Sequence, residues 1–217
     1  MIECTRGGGI DDHTRFLMRF NGNFNVEGNP TPSGNLFIAN NGKLVNDQSI
    51  QCVEYRIAEE QSYTIINTKE SLLPELFYDG HPFTIDFWYK SLSNRSKCII
   101  DHQYSNGIFN LGLYNSDCFT FHAQQVSWDF FDADVNEWHH IAIIRDIGEY
   151  NMLYVFIDGK HWIATKCNNM TSLRSFNIGI NARSDGRDNG DSRIDDFRIS
   201  DIARWDSDFE PPKRKGL

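Results

Sequence analysis

Trp128 stands in the segment VSWDFFDAD beside Asp129 and Asp132, Tyr104 and Asn106 share the turn HQYSNG, and Trp162 follows an Asp-Gly turn. A flat aromatic ring covers the apolar side of a pyranose, and Asp, Asn or Arg side chains fix its hydroxyls. These residue types therefore carry the chemistry of sugar recognition. Trp128 leads the set because its acidic, aromatic-rich segment reads as irregular and inter-strand, where an indole is exposed. His122 lies on a strand whose other side carries Phe119, Phe121 and Ala123, so it faces a ligand alongside Thr120 and Gln124. Tyr114 is a further option, and packing or edge cover is the competing role for each.

Other chemistry finds less support. No serine sits in a nucleophile-elbow glycine pattern. Trp138, His139 and His140 open a strongly apolar strand, where adjacent histidines point to opposite faces of a sheet, so they read as framework. Asp195 shares strand parity with Phe197 and Ile199; if those two face the core, a buried carboxylate needs a cation or backbone amides. The loop RSDGRDNGDSR places Asp185, Asp188 and Asp191 at intervals of three, without the closing glutamate of an EF-hand, and reads as a solvated turn.

The elements that must position these residues are strands. WHHIAIIRD, LYVFIDGK and HWIAT alternate apolar and polar residues, and Asp158-Gly159 supplies the positive φ of a tight hairpin. FTIDFWYKS alternates Phe83, Ile85, Phe87 and Tyr89 against Thr84, Asp86, Trp88 and Lys90. Further strands are expected at 15–21, 36–39, 51–55, 63–66, 97–101, 108–114, 118–124, 175–180 and 194–200. A long turn-rich loop follows the first of these, and a short helix or 3₁₀ turn is expected at 72–77. Many short strands without helical periodicity make two stacked antiparallel sheets, an all-β sandwich. The expected division is an N-terminal arm over 1–12 with Gly7-Gly8-Gly9, one domain over 13–212, and a tail over 213–217.

Composition bounds the partners. Among 217 residues, 16 Phe and 5 Trp supply bulk for a sheet-on-sheet interior. A formal charge of −9 argues against nucleic acid and anionic membrane as main partners, since both demand a basic field. Five scattered cysteines, an odd number, cannot form a complete disulfide framework and read as buried thiols. No apolar run reaches membrane-span length and MIECTRGGGIDD has no signal-like segment, so the chain is expected to be made inside a cell. The triplets at Asn94 and Asn169 carry no weight in that setting.

HTRFLMRFNGN, FTIDFWYKS, WHHIAIIRD with LYVFIDGK, and IDDFRISDIARW, taken in this order, resemble the concanavalin A-like lectin/glucanase superfamily in its laminin-G-like jelly-roll branch. The resemblance implies two curved antiparallel sheets with the first and last strands side by side. It makes Trp138 and His140 core framework. It also implies calcium, held where a first-strand acidic residue joins the terminal strand, with Asn21, Asn23, Asp195 and Asp196 as the corresponding ligands here. Relatives commonly carry Asp at the position of Asn21, and a hard cation of this kind takes roughly six to eight oxygens. Glucanases of the superfamily carry paired glutamates, with catalytic carboxyls about 5 Å apart in retaining enzymes; Glu59, Glu60 and Glu70 lack that spacing, so no catalytic residue is assigned. The ending, IARW before FEPP, resembles domains of phage and prophage virion proteins.

The expectation is therefore a non-catalytic recognition or decoration module on a virion surface, binding cell-surface glycan, with calcium as an optional cofactor. The homo-oligomeric assembly common at virion positions and contact with other virion proteins complete the picture, and a cytoplasmic location is the alternative to the virion surface. A structural virion protein without a glycan site and a divergent glycoside hydrolase are the alternatives.

Overall fold

Alternation along FTIDFWYKS builds two chemically different faces from one strand. Phe83, Ile85, Phe87 and Tyr89 are buried in the main core, while Thr84, Asp86, Trp88 and Lys90 turn to the opposite side. A computed structural model of the chain describes residues 10–29, 37–40, 42–48, 50–56, 63–67, 81–93, 97–102, 112–115, 119–123, 126–131, 136–166, 177–180 and 191–214. Among them the regular elements are all strands: β1 (Thr14–Met18), β2 (Val26–Glu27), β3 (Phe37–Asn40), β4 (Lys43–Asp47), β5 (Ile50–Tyr55), β6 (Tyr63–Asn67), β7 (Phe83–Ser91), β8 (Lys97–His102), β9 (Gly112–Asn115), β10 (Phe119–Ala123), β11 (Val126–Phe131), β12 (Trp138–Asp146), β13 (Met152–Ile157), β14 (Lys160–Lys166), β15 (Asn177–Ile180) and β16 (Ser192–Ser200).

These strands form two antiparallel sheets, the expected all-β sandwich. A nine-stranded sheet runs β14-β13-β12-β7-β16-β1-β2, with β5 pairing β16 beyond the end of β1 and β4 pairing β5. A seven-stranded sheet runs β11-β10-β9-β8-β15-β6-β3. First and last strands do lie side by side, Met18 opposite Phe197 and Leu17 opposite Arg198. Ile99 and Ile100 of β8 enter the same core as Ile85 and Phe87 of β7, and the Tyr55 hydroxyl on β5 shares a 2.7 Å hydrogen bond with the Thr64 hydroxyl on β6. These contacts fix the alignment of the layers. β5 is sixth in from β14, and β6 is sixth in from β11, so β14 and β11 edge the same flank. Aromatic stacking fills the middle, with Phe87 and Phe197 at 5.5 Å between ring centroids.

Several boundaries differ from the sequence pattern. β1 stops at Met18, and β2 and β4 occupy stretches where no strand was expected; both are short or partly exposed, so their alternation is weak. Trp128 and Asp129 lie inside β11, an edge strand paired to β10 with one extra residue at Phe130, and not in an inter-strand segment. Acidic residues suppressed the strand signal there, yet an edge strand tolerates them because one side of its ladder meets water. The expected turn at 72–77 lies outside the described residues. Cys52 is buried, and burial pushes its thiol up to about 12, which makes it inert packing.

The hairpin β13–β14 turns at Asp158 (φ 51°) and Gly159 (φ 73°), as the Asp-Gly signal requires. Gly159 has a second duty. A Cβ placed on it would lie 1.8 Å from the Phe209 carbonyl oxygen, because the C-terminal segment crosses the turn there. Phe209 N–H donates to the Gly159 carbonyl at 2.9 Å.

Candidate functional site

The nine-stranded sheet has an outer face turned away from the sandwich core, and two regions of that face could serve function. The first is central. Asp86 on β7 accepts two hydrogen bonds from Arg198 on β16, at 2.9 and 2.8 Å, and His140 on β12 approaches the second oxygen at 3.3 Å. Asp86 is 3% exposed and His140 1%. Burial alone would push the Asp86 carboxyl up, but the Arg198 charge and the bonds from His140 and Arg198 outweigh it and hold the group well below the usual carboxylate range. Asp47 is similar: burial opposes ionisation, and Lys90 at 2.9 Å with the Trp138 indole N–H at 2.8 Å reverses the balance.

This charged centre is roofed by the segment 201–214. Trp205 and Phe209 stack at 3.9 Å and pack with Ala203 on Ala142, Ile144 and Phe156. Arg204 makes a bidentate pair with Asp11 at 2.8 Å for each bond and also donates to Ser200. Asp201 is held by Arg15 and His13. Arg214 lies 3.5 Å over the Trp138 ring and donates to Asp195 at 3.2 Å. Packing thus extends beyond the anticipated limits at both ends, to Asp11 and Arg214.

Asp195 corrects the parity reading. One extra residue sits in β16 between the pairs Asp195–Trp88 and Arg198–Asp86, with Asp196 at φ 46°. Ile194, Phe197 and Ile199 therefore all enter the core while Asp195 faces outward beneath Arg214. Its partner is a guanidinium, and Asp196 lies 3.7 Å from Arg19. Burial first, then repulsion from Asp196, pushes Asp195 up to about 7 despite Arg214; burial also raises Asp196. Of the other two expected calcium ligands, Asn21 is exposed and Asn23 accepts the Asn25 N–H. Among the described residues no three His, Cys, Asp or Glu side chains gather as a metal site.

A narrow cleft opens between Leu17 and Pro212, floored by Asp86, Trp88, His140, Asp196 and Arg198. Two carboxyls with opposite shifts are the pattern of an acid and its ionised partner. Both Asp86 oxygens, however, are committed to Arg198 and His140, so this pair is built as a clamp and offers no open nucleophile. Trp138 and His140 are framework, as expected.

The second region is the open flank. Trp162, 44% exposed, is the extra residue of a bulge in β14, where Val155 pairs Ile163 and Phe156 pairs His161. Ala164 lies opposite Tyr154 and Lys166 opposite Met152. Tyr150, 58% exposed in the β12–β13 turn, has the Lys166 ammonium 6.0 Å from its ring centre, and Tyr154 meets the His161 ring at 5.6 Å. Ala164, exposed and small, leaves a low floor between the larger side chains. Of the expected sugar-binding set, Trp162 is thus placed on an accessible surface. By register Thr120 and His122 oppose Asp129 and Ser127 across β10–β11, while Phe121 opposes Trp128; His122 and Asp129 occupy one set of alternating positions and Trp128 the other. One sheet face does not bring all three together. β11 nevertheless edges the same flank as β14. Tyr104, Asn106 and Asp132 lie outside the described residues. Tyr150, Tyr154 and Lys166 were not anticipated; the signal was Tyr150 in a turn beside an amphipathic edge hairpin.

Residues 60–208 match the family model of the concanavalin A-like lectin/glucanases superfamily. The chain belongs to that superfamily. No curated protein sequence matches it. Among solved structures, the binding domain of botulinum neurotoxin serotype D/C is similar at 18% identity with a TM-score of 0.67, over 91% of this chain and 50% of that one. The binding domain of botulinum neurotoxin DC in complex with rat synaptotagmin II gives the same values. A type C structure, described as concerning cell entry that depends on two ganglioside molecules, is 19% identical with a TM-score of 0.61, over 88% and 48% of the two chains. This superfamily member spans about half the length of those structures. At such identity the likeness is one of fold.

Proposed function

We propose that the chain is a non-catalytic recognition module that binds carbohydrate along the flank edged by β14 and β11, with Trp162 as the stacking ring. The observation that carries this reading is the clustering of exposed apolar side chains. Of the four large exposed ones among the described residues, Ile147, Tyr150 and Trp162 lie on the β12–β13 turn and β14, which sets this flank apart from the covered centre. An exposed tryptophan beside tyrosine on a rigid hairpin presents rings at low entropic cost. The superfamily includes lectins, and of the structures sharing the fold one is described as a binding domain in complex with rat synaptotagmin II and another by an interaction with two ganglioside molecules.

Trp128 and Asp129 on β11 extend the same flank in this reading. A glycan array probed with the wild-type chain, Trp162→Ala and Trp128→Ala tests it. Selective wild-type binding that weakens at least tenfold in Trp162→Ala is expected; binding untouched by both substitutions would refute the assignment. A location on a phage virion is the finer proposal, supported by the IARW and FEPP ending. A gene neighbourhood without head or tail genes would count against it.

A further inference from the structure

We infer that the flank is built for a carboxylate-bearing saccharide, with Lys166 as the charge partner; this rests on the carbohydrate reading above and names the ligand class of that same surface. The inference comes from how the cations of the outer face are used. Lys90 is committed to Asp47, Arg198 to Asp86, Arg204 to Asp11 and Arg214 to Asp195, all beneath or within the roofed centre. At the entrance to the flank, Lys160 pairs with Asp208 at 2.9 Å. Lys166 differs. It is exposed at the end of β14, its one contact among the described residues is the face of Tyr150, and no described carboxylate pairs with it, the neighbouring Glu149 included.

An ammonium held over a phenol ring is oriented without being neutralised. In a chain of formal charge −9, an uncompensated cation beside an exposed aromatic surface is a local site for an anion against an otherwise repelling background. Trp162 lies four residues along the same strand, about 13 Å at the usual rise. A sugar ring stacked over Trp162 or Ala164 can direct an acidic substituent or neighbouring residue toward Lys166. A compact ammonium suits a single carboxylate as a point charge, without the bidentate fork an arginine would offer. A neutral glycan would use Lys166 only as a hydrogen-bond donor to hydroxyls, so a preference for charge separates the two cases.

The test uses 3′-sialyllactose and a hyaluronan tetrasaccharide, each beside its carboxyl methyl ester, titrated against the full chain at low salt by ligand-observed NMR. For at least one pair the acid is expected to bind about three- to fivefold more tightly than the ester, the size of an exposed ion pair. The preference should shrink as salt rises. Lys166→Gln should abolish the preference while leaving ester binding in place, and Trp162→Ala should weaken acid and ester alike. Equal affinity for acid and ester, or a preference that survives Lys166→Gln, overturns the carboxylate assignment and leaves the carbohydrate reading standing. Binding of neither pair, with neutral glycans bound on the array through Trp162, overturns it in the same way. Saccharide binding unaffected by both Trp162→Ala and Trp128→Ala refutes the placement of the site on this flank, and with it the role of Lys166.

Discussion

The centre and the flank of the outer face belong to one sheet yet do opposite things with similar residues. In the centre, Trp88, Trp138, Trp205 and Phe209 cover or contact charges that are paired across strands, and the segment 201–214 covers the region except for the narrow cleft beside Pro212. On the flank, Tyr150 and Trp162 have comparable rings that stay 58% and 44% exposed, and Lys166 has no described carboxylate. The difference lies in the covering segment, which reaches as far as the Gly159 turn and, through Asp208, the His161 N–H. Aromatic residues become framework where that segment lies over them and stay exposed, as the proposed binding surface requires, where it does not.

Substitutions should separate the two regions by kind of effect. Asp86→Ala leaves Arg198 buried without its partner and should destabilise by about 3–5 kcal/mol in urea unfolding. A loss comparable to a surface change would break the distinction. Gly159→Ala forces a methyl into the Phe209 carbonyl at a positive φ and should cost about 2–3 kcal/mol, with a visible change in near-UV signal from Trp205. Unchanged stability would show that the covering segment is loosely held.

The pH dependence sharpens the contrast further. Asp195, raised from 3.8 to about 7 by burial, binds a proton in the folded state that the unfolded chain lacks between those values. Its stabilising contribution is fully present below 3.8 and is lost as pH rises through about 7, so this residue makes stability fall from pH 4 to pH 8. Asp195→Asn should flatten that slope by about 1–3 kcal/mol in thermal or urea unfolding, with Asp196 leaving a remainder of the same sign. Asp86, Asp47 and Asp11, all lowered, act the other way and withdraw stability as pH falls below the ordinary carboxylate range. Trp162→Ala, at a part-exposed edge, should cost about 1 kcal/mol of stability, well below the Asp86→Ala loss, while removing glycan binding. A large stability loss there would make the flank framework too.

Strong alternation made much of this legible. FTIDFWYKS, WHHIAIIRD and the Asp158-Gly159 hairpin appear where the period of two places them, because half-buried strands must alternate to keep one face dry. β2 and β4 carry little of that pattern, and β11 hid behind its acids. Asp195 was misplaced for a different reason: parity counts assume a regular ladder, and one bulge residue at Asp196 reverses every assignment before it. Trp162 was legible as a candidate, whereas its association with Tyr150 and Lys166 depends on a turn and a register that spacing alone leaves open.

By itself the sequence determined the layered all-β architecture, the hairpin turn and the phenylalanine-rich interior, since these follow from local periodicity and backbone preference. Only the tertiary structure decided which aromatic residues are sealed and which are open. That choice depends on where residues 201–214 lie across strands distant in sequence, held by Arg204 to Asp11 and by Arg214 to Asp195.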